Sequence, residues 1–469
     1  MTIVSDIEYT TNITNAKEIL SEKIQDIYKS FINCDSEFYN KQYVRIQINL
    51  KKSDILNWLH SQESKTKFYW SDRESRYVTA GVGYADYLKC SQACNLENSF
   101  NHINRILKNS TYGIKYYGGF QFDSDSKNFI QDIEWNSFGS LSFVLPRFEL
   151  ISDNEIEDYD SLYLNFSLEH DTMDLVLNEI NKLNEPASFS VDIPDMISRM
   201  DIPDKNGWIS SVESALTALE QNQIEKVVLA RKTIFGFNGN INPFAVQKEL
   251  IAKVFGCYNF YFQFESDVVF LGATPEQLYY RKGNNISTEA VAGTKPRGYD
   301  DESDNFLSEQ LLNSPKEILE HCLVLDSIKN ILNKICSRIN NDAQVSLLKL
   351  TKVQHLITHF DGQLNDSVSD ADIIREMHPT PAVGGVPKDK SLQMINDLEP
   401  FERGWYAGPV GWIGKDSAEF AVAIRSGLIN KNCIFLYSGA GIVKGSCPDD
   451  EWREIENKLS NFIKAVSKQ

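Results

Sequence analysis

Two short acidic stretches, far apart in the chain, each place a pair of glutamates three residues apart beside apolar residues. In KEILEH the pair is Glu317 and Glu320, and in EWREIENK it is Glu451 and Glu454. Residues three apart lie on one face of a helix, so both stretches predict helices whose carboxylates border a buried stripe. Such carboxylates are costly to bury unless a cation balances them, and two converging helices could hold one Mg²⁺. The alternative is two solvated helix faces whose acids favour the N-terminal dipole.

Upstream of both stretches, a lysine and a glutamate have the setting of a general base and a general acid. Lys226 lies in the β-branched run IEKVVLA, where alternation puts it on one strand face with Ile224 and Val228. Burial would lower its pKa and let it act as a base; an edge-strand lysine that blocks aggregation is the alternative. Glu276 follows Thr-Pro in GATPEQL, where apolar surroundings would raise its pKa and make it a proton donor. For Glu276 the alternative is a carboxylate at a helix N-terminus.

Arg425 and two glycine-rich loops are candidates for holding an anion. Arg425 lies in the apolar run AVAIRSG, where it requires a partner, either the carboxylate of a substrate or a structural ion pair. The loops TEAVAGTKPRG and YSGAGIVKGS offer backbone N–H groups that can bind a carboxylate. His378, in the proline-rich loop MHPTPAVGGVP, is expected to be structural, and His355 either contacts a ligand or is a satisfied core residue.

The composition excludes several classes of protein. The 469 residues include 65 acidic and 47 basic side chains, which gives a formal net charge of −18. Such a surface repels phosphate backbones and anionic membranes, so neither nucleic acid nor a membrane is an expected partner. An anionic substrate would need a local cation or a metal. The start of the chain shows no signal peptide, and no stretch of about 18 apolar residues occurs, so a cytoplasmic location is expected.

The eight cysteines form neither a metal-binding nor a disulfide pattern. They stand at positions 34, 90, 94, 257, 322, 336, 433 and 447, without a CxxC pair. Cys90 and Cys94 could share a helix face, but no second pair supplies the remaining ligands of a zinc site. Reduced cytosolic thiols fit this pattern better.

Helical and alternating periodicities predict the elements that must position these residues. A boundary is expected in the proline-containing stretch 184–208, and a solvated acidic loop at 152–160. Three late runs, WYAGPVGWIG, EFAVAIRSGLI and CIFLYSGAGIV, predict an antiparallel meander. The other predicted elements are strands at 43–50, 139–150 (broken at Pro146) and 224–237, a hairpin of 259–265 with 268–274, and helices at 53–60 (capped by Ser53), 208–223, 314–335 and from about Asp449.

Taken together, these stretches resemble the chorismate-utilising enzymes, which include isochorismate, salicylate, anthranilate and aminodeoxychorismate synthases. The motifs KVVLAR, FLGATPEQL, TEAVAGTKPRG, SPKEILEH, QHL, MHPTPAVGG, YAGPVGW, FAVAIRS and GAGIVKGSCPDDEWREIENK follow in the family order over residues 208–466. FYWSDRE, AGVGYAD and LPRFEL match more loosely. The resemblance implies the α/β fold of anthranilate synthase component I, with stacked β-sheets covered by helices. Residues 1–200 would add strands to the same body, and residues 205–469 would form the catalytic, chorismate-binding region.

The resemblance also implies a magnesium site and an acid–base pair. Glu320 and Glu454 match the two Mg²⁺ ligands of the family, and the carboxylates beside them, Glu317 and Glu451, match those that hold metal-bound water. In the same way Lys226 matches the base that activates water and Glu276 the acid that protonates the departing hydroxyl.

Five further residues match the part of the family site that binds substrate. Arg425 and Tyr406 match the pair that grips the enolpyruvyl carboxylate of chorismate. Gly293 and Gly439 match positions whose backbone contacts the substrate, and Lys458 matches a lysine close to both metal and substrate.

Three positions distinguish the branches of the family. Anthranilate synthases carry glutamine where Lys226 stands and deliver ammonia, so Lys226 favours addition of water and no amidotransferase subunit is expected. Ala292 replaces the nucleophilic lysine of one type of aminodeoxychorismate synthase. The run 382–384, Ala-Val-Gly, is typical of isochorismate synthases, whereas salicylate synthases have Thr-Ala-Ser.

The resemblance therefore implies a Mg²⁺-dependent isochorismate synthase that converts chorismate into isochorismate. The region FYWSDRE…AGVGYAD favours the menaquinone-type enzymes. The alternatives are a salicylate synthase, which also eliminates pyruvate, an isochorismate synthase for catechol siderophores, and a non-catalytic acidic scaffold that retains the fold.

Overall fold

The computed structural model describes residues 3–4, 11–32, 41–91, 95–123, 132–342, 344–350 and 352–466. Within these ranges the chain forms two large sheets and 11 α-helices. Cys34 and Cys94 lie outside the described residues, and five of the described cysteines, Cys257, Cys322, Cys336, Cys433 and Cys447, are free thiols. No helix in the described part of the chain is both long and apolar enough to cross a membrane.

The larger sheet has 13 strands. They are β1 (Ile3–Val4), β2 (Val44–Lys51), β3 (Lys67–Ser71), β4 (Tyr77–Val82), β8 (Phe148–Asp153), β9 (Tyr159–Phe166), β10 (Met196–Ile202), β11 (Lys226–Phe237), β12 (Tyr258–Gln263), β13 (Val269–Thr274), β19 (Gly385–Val386), β22 (Ser426–Asn430) and β23 (Cys433–Ile442). Their order is β1-β2-β9-β8-β4-β3-β12-β13-β22-β23-β11-β10, with β19 also paired to β11. Neighbours are antiparallel except β1 and β2, which are parallel.

The smaller sheet has 10 strands, all antiparallel. They are β5 (Asp86–Cys90), β6 (Lys115–Phe120), β7 (Leu141–Leu145), β14 (Gln277–Lys282), β15 (Asn285–Pro296), β16 (Cys336–Asn341), β17 (Ser346–Lys349), β18 (Val353–Leu364), β20 (Pro409–Gly414) and β21 (Ser417–Val422). Their order is β16-β18-β15-β14-β21-β20-β6-β7-β5, with β17 paired to β18.

The helices cover the two sheets. They are α1 (Ile13–Ile32), α2 (Ile55–Ser61), α3 (Leu96–Lys108), α4 (Met173–Asn181), α5 (Lys205–Glu220), α6 (Pro243–Lys253), α7 (Asp301–Leu312), α8 (Pro315–Ile335), α9 (Asp370–Met377), α10 (Lys388–Leu398) and α11 (Pro448–Val466). Helix α8 packs on β15, β16 and β18, whereas α5 and α10 pack on β11 and α11 packs on β23.

Aromatic side chains join the two sheets. The ring of Phe68 on β3 stacks on that of Tyr117 on β6, with centroids 4.1 Å apart. Trp405 is fully buried, and its ring lies 5.8 Å from that of Phe264 and 6.4 Å from that of Phe270. Large aromatic rings bury more apolar area than other side chains, so this layer holds the sheets face to face. The predicted α/β fold with stacked sheets under helices is confirmed.

Strands from before and after residue 200 are neighbours in both sheets. In the larger sheet β3 pairs with β12, and in the smaller sheet β6 pairs with β20. The predicted boundary stretch 184–208 is wrong in part, because Met196–Ile202 is a strand paired with β11 and α5 already begins at Lys205. The loop predicted at 152–160 is shorter than expected, because β8 extends to Asp153 and β9 begins at Tyr159.

Two predicted runs divide between the sheets. The break at Pro146 is confirmed, and it sends β7 to the smaller sheet and β8 to the larger. The single strand predicted for EFAVAIRSGLI is wrong: the chain leaves the smaller sheet after Val422 and enters the larger at Ser426, through Arg425 with φ +51°. The predicted meander is therefore two hairpins, β20–β21 and β22–β23, in different sheets.

Local capping explains where the main helices begin. Ser314 caps α8 by accepting from the backbone N–H of Glu317, and Pro315 occupies the first turn. The cap predicted for α2 is wrong: Asp54, not Ser53, accepts from the N–H of Asn57 at 3.0 Å. The backbone N–H of Ser53 donates instead to Asp160 on β9.

Candidate active site

One cavity, where the two sheets meet α8 and α11, is lined by every residue that the sequence analysis singled out for substrate, metal or acid–base chemistry. These residues are Lys226, Glu276, Gly293, Glu317, Glu320, Tyr406, Arg425, Gly439, Glu451, Glu454 and Lys458. His355 also lines it. Both glutamate pairs lie on helices, as predicted, and both helices face the same space.

The carboxylates from α8 and α11 are paired mainly with lysines. Glu320 accepts from Lys226 Nζ at 2.8 Å, and Glu454 lies 2.6 Å from Lys458 Nζ. Glu451 is 2% exposed, and its Oε1 accepts no hydrogen bond from any described residue. A buried carboxylate oxygen without a donor is costly, so this end of the cavity has room for another cation.

Glu317 is fixed from the smaller sheet. Its carboxylate accepts from the backbone N–H of Thr294 at 2.9 Å. Gly293 has φ +76°, and a Cβ there would lie 3.2 Å from the Cβ of Glu317 and 3.3 Å from its Oε2. Glycine is therefore needed both for the backbone conformation and for the close approach of the helix.

The charges of these glutamates act on one another. Burial raises the pKa of Glu317, and the charges of Glu320 and Glu454 raise it further, against the hydrogen bond from Thr294. Burial and then the charge of Glu454 raise the pKa of Glu451. Carboxylates that repel one another in a partly buried site favour a bound cation.

The donor set fits a hard divalent cation, although no three described acidic, histidine or cysteine side chains already converge on one point. The fit rests on oxygen ligands that Mg²⁺ prefers, contributed by Glu320 and Glu454 with Glu317 and Glu451 beside them. It also rests on Glu451 Oε1, which accepts no hydrogen bond from a described residue and lies 3.6 Å from Lys316 Nζ. In this structure Glu320 pairs with Lys226 and Glu454 with Lys458, so the two carboxylates do not face a common centre.

Lys226 is buried inside the larger sheet. It is 1% exposed and lies on β11, which has neighbours on both sides at this point: Lys226 is opposite Val386, and Val227 is opposite Ile442. The edge-strand alternative is therefore wrong. A Cβ at Gly441 would lie 3.0 Å from both Lys226 Cε and Glu320 Oε1, so a glycine on the neighbouring strand leaves space for the pair.

Glu276 lies in the short connection between β13 and β14, where the chain passes from one sheet to the other. It is 7% exposed, and burial raises its pKa to about 7. Thr380 Oγ1 donates to its Oε1 at 3.1 Å. The alternative of a helix N-terminal carboxylate is wrong, because both flanking elements are strands.

The cavity also contains a half-buried arginine, Arg425, without a carboxylate partner in the described part of the chain. Arg425 Nη2 faces His355 Nε2 at 3.0 Å, and burial lowers the pKa of His355 to about 3, so the ring is neutral. The alternative of a structural ion pair is not found for Arg425. A half-buried guanidinium without a carboxylate partner matches an anionic ligand.

Tyr406 and Lys458 complete the same wall. A Cβ at Gly439 would lie 3.1 Å from Leu229 O and 3.4 Å from the hydroxyl of Tyr406. Lys458 Nζ donates to Gly439 O at 3.0 Å. The glycine therefore keeps open the backbone surface between the tyrosine and the lysine.

Several residues of the site escaped the sequence analysis. Thr380 was quoted only as part of the loop MHPTPAVGGVP, and its position between two prolines was the available signal. Arg403 Nη1 donates to Val383 O at 2.9 Å and its Nη2 to Val228 O at 2.8 Å, so it fastens this loop to β11. His378, as predicted, is structural: it lies outside this cavity, and its Nε2 is 2.8 Å from Phe122 O.

Comparison with known proteins gives one family. The family model described as chorismate binding enzyme matches residues 29–467. The isochorismate synthase MenF of Bacillus subtilis (strain 168) is 33% identical over 447 residues, which are 90% of this chain and 93% of that protein. The salicylate biosynthesis isochorismate synthase of Pseudomonas aeruginosa is 32% identical over 362 residues, or 75% of this chain and 74% of that protein.

A solved structure agrees with these relatives. The menaquinone-specific isochorismate synthase MenF from Escherichia coli superposes with a TM-score of 0.80 and 27% sequence identity. The match covers 95% of this chain and 100% of that chain.

Proposed function

The chain belongs to the chorismate-binding enzyme family, and we propose from this premise that it is an isochorismate synthase, an isomerase that converts chorismate into isochorismate. The observation that carries the proposal is that a buried lysine and a buried, protonatable glutamate, Lys226 and Glu276, line one cavity with Arg425, which has no carboxylate partner among the described residues. Water addition requires a base and loss of a hydroxyl requires an acid, and this cavity supplies one of each.

Mg²⁺ is the proposed cofactor, held by Glu320 and Glu454, with Glu317 and Glu451 holding its water ligands. Two observations support this assignment: Glu451 Oε1 accepts no hydrogen bond from a described residue, and the carboxylates repel one another. When bound, Mg²⁺ would offset the negative charge of the substrate carboxylate and act as a Lewis acid. It would also supply the local cation that a chain of net charge −18 needs to bind a dianion.

Arg425 and Tyr406 are proposed to bind the enolpyruvyl carboxylate of chorismate. The guanidinium offers paired N–H donors in the geometry that a carboxylate accepts. The exposed backbone at Gly293 and Gly439 and the amine of Lys458 would contact the substrate beside them. These contacts would fix the ring relative to the acid and the base.

Lys226 and Glu276 are proposed to move the two protons. The amine of Lys226 takes a proton from water, whose oxygen forms a bond to ring C2. The ring double bonds shift, the bond from C4 to its hydroxyl breaks, and Glu276 protonates the leaving oxygen to give water. One water is consumed and one released, so the reaction is an isomerisation. The ion pair with Glu320 occupies Nζ now, so the lysine must leave this carboxylate before it can act as a base.

The test is turnover of chorismate by the purified protein with Mg²⁺, followed by chromatography of the products. Isochorismate is the expected product, and Lys226→Ala and Glu276→Gln are each expected to abolish its formation while the circular dichroism spectrum stays unchanged. Near-normal isochorismate formation by either variant would overturn the assigned roles. If the wild-type protein shows no magnesium-dependent consumption of chorismate, the non-catalytic scaffold is favoured instead.

A salicylate synthase remains the second candidate, because one relative takes part in salicylate biosynthesis. Ala382 and Val383 line the cavity at the positions where the salicylate branch differs. Salicylate fluorescence in the same incubation separates the two activities: its appearance would favour the bifunctional enzyme.

Menaquinone biosynthesis is the proposed pathway, and the cytoplasm the proposed location. The match with the menaquinone-specific structure covers 95% of this chain and the whole of that chain, which supports this pathway. The five free thiols at positions 257, 322, 336, 433 and 447 suit a reducing compartment. Because water is the proposed nucleophile, no amidotransferase subunit is expected.

A further inference from the structure

An ion pair that does not line the cavity holds the backbone on both sides of Glu276. Arg73 Nη2 donates to the carbonyl oxygen of Pro275, the residue before the glutamate. Arg73 also donates through both terminal nitrogens to Glu289, with Nη1 3.0 Å from Oε2. Glu289 Oε1 accepts in turn from the backbone N–H of Gln277, the residue after the glutamate, at 3.1 Å.

The two partners come from different parts of the chain. Arg73 follows β3 in the loosely matching motif FYWSDRE, and its guanidinium lies over the ring of Tyr258 at 5.2 Å. Glu289 lies on β15, and its side chain is 2% exposed, whereas that of Arg73 is 20% exposed. A buried, bidentate arginine–carboxylate pair has a narrowly defined geometry, so it can fix the peptide groups that it contacts.

We propose that Arg73 and Glu289 are positioning residues of the isochorismate synthase reaction, which clamp the backbone around Glu276 and balance the charge next to it. The inference rests on the proposed function of Glu276 as the acid. It assigns the N-terminal part of the chain a role in the reaction. Arg73 follows β3, which pairs with β12, and from there its side chain contacts the turn that contains Glu276.

The charge balance follows from what surrounds Glu276. The charge of Glu289 raises the pKa of Glu276, after the larger effect of burial. The other groups that face it from neighbouring elements are Thr380, Lys226, Lys458, Arg425 and Tyr406. The exposed ring of His359 also lies near Glu289, with Nδ1 3.8 Å from Oε2, but Arg73 is the bidentate partner. Removing only Arg73 or only Glu289 therefore leaves an unbalanced charge near the acid, whereas removing both does not.

The first experiment separates positioning from substrate binding. Arg73→Gln is expected to lower kcat about 10- to 100-fold, because small displacements of a reacting group have effects of that size. KM for chorismate is expected to change less than about threefold, since Arg425 and Tyr406 are untouched. Arg73→Lys should be intermediate, because one ammonium can neutralise Glu289 without also reaching Pro275 O in the same geometry.

The matched control is another buried arginine pair on the strand that follows the turn. Arg281 on β14 donates from Nε to Asp370 at 2.8 Å, with side-chain exposures of 12% and 4%. Arg281→Gln removes an interaction of the same kind without touching Pro275 or Gln277. It is expected to lower thermal stability but to leave kcat near the wild-type value.

The second experiment measures the proton on Glu276 directly. Glu289→Gln leaves the positive charge of Arg73 unbalanced, so the pKa of Glu276 should fall and the alkaline limb of kcat/KM should move to lower pH by about half a unit or more. The double variant Arg73→Gln/Glu289→Gln should return the limb to its wild-type position while kcat stays low. Difference infrared spectra should show the same shifts in a carboxylic acid band that Glu276→Gln abolishes.

The outcomes separate this inference from the proposed function. Two results would overturn the clamp while leaving the enzyme assignment intact. The first is a Glu289→Gln variant in which neither the infrared band nor the alkaline limb of kcat/KM shifts. The second is an Arg73→Gln variant whose kcat matches that of Arg281→Gln. If the wild-type protein forms no isochorismate, the proposed function is wrong, but the infrared titration still tests whether Arg73 and Glu289 affect the pKa of Glu276. Should Arg73→Gln fail to fold, Arg73→Lys and Glu289→Gln carry the test.

Discussion

The cavity has one end at Glu276 and another at the carboxylates of α8 and α11, and the two ends differ in how far the chain itself stabilises the buried carboxyl groups. At one end Glu276 is 7% exposed, accepts a hydrogen bond from Thr380 and has a pKa raised by burial to about 7. At the other end, Glu320 and Glu454 are paired with lysines, and one buried oxygen of Glu451 accepts no hydrogen bond from the described residues. Burial of the carboxyl group at the acid end requires only its proton and the hydrogen bond from Thr380, whereas the carboxylate end fits an added cation.

This difference shows two solutions to the burial of a carboxylate. A buried carboxyl group either takes up a proton or gains a cationic partner. Glu276 follows the first route, which suits a proton donor. Glu320 follows the second: although burial opposes it, the charge and hydrogen bond of Lys226 lower the pKa of Glu320. A single type of side chain is thereby suited to donate a proton at one end and, as proposed, to bind a metal at the other.

The largest effect is expected when the acid end alone is broken. Glu276→Gln should lower turnover by about 10²- to 10⁴-fold, the usual contribution of a general acid. Mg²⁺ affinity, measured by calorimetry, should stay close to the wild-type value because the glutamine does not alter α8 or α11. A parallel loss of Mg²⁺ affinity would mean that the two ends are not independent.

The carboxylate end should respond in the opposite way. Glu320→Gln and Glu454→Gln are each expected to weaken metal binding at least about tenfold, as measured by calorimetry with Mg²⁺ or by electron paramagnetic resonance with Mn²⁺. Glu456→Gln is the control: it lies on α11 too, but pairs with Arg199 and Arg231. Equal metal affinity in Glu454→Gln and Glu456→Gln would contradict the assigned ligands.

Sequence motifs were sufficient for the lining residues but not for their partners. The spacing of Glu317 and Glu320 and the alternation around Lys226 predicted the faces that these side chains occupy, because helix and strand periods fix them. The contact of Thr380 with Glu276 spans 104 positions and that of Arg73 with Glu289 spans 216. No local period reports contacts of such range.

The division into two sheets was also beyond local patterns. AVAIRSG reads as one apolar strand, yet Arg425 has φ +51° and the chain changes sheet there. A positive φ at a non-glycine residue is unfavourable, so it is set by tertiary contacts: it brings the guanidinium to His355 in the cavity. The hydrophobic pattern on either side carries no sign of this turn.

A smaller effect should follow from changing the hydrogen bond at the acid end. The hydroxyl of Thr380 lowers the pKa of Glu276, against the larger effect of burial. In Thr380→Val the pKa should therefore rise, the acid should stay protonated to higher pH, and the alkaline limb of kcat/KM should move upward from about 7. Thr380→Ser keeps the hydroxyl and should leave the limb in place; a shift in the serine variant as well would assign the effect to packing of the loop.

The smallest effect is on stability, and it has opposite signs at the two ends. Burial raises the pKa of Glu276 from 4.5 to about 7 in the folded protein. The stability that its protonated form contributes is present below pH 4.5 and is lost as pH rises to about 7. Glu276→Gln, which does not titrate, should therefore gain on the wild type by up to about 3 kcal/mol above that range. Glu320→Gln should instead destabilise the fold, because it leaves Lys226 buried without its partner. Thermal unfolding without Mg²⁺ at pH 5 and pH 8 tests this; a Glu276→Gln variant that is less stable than the wild type at pH 8 would show that the acid end is held by more than a buried proton.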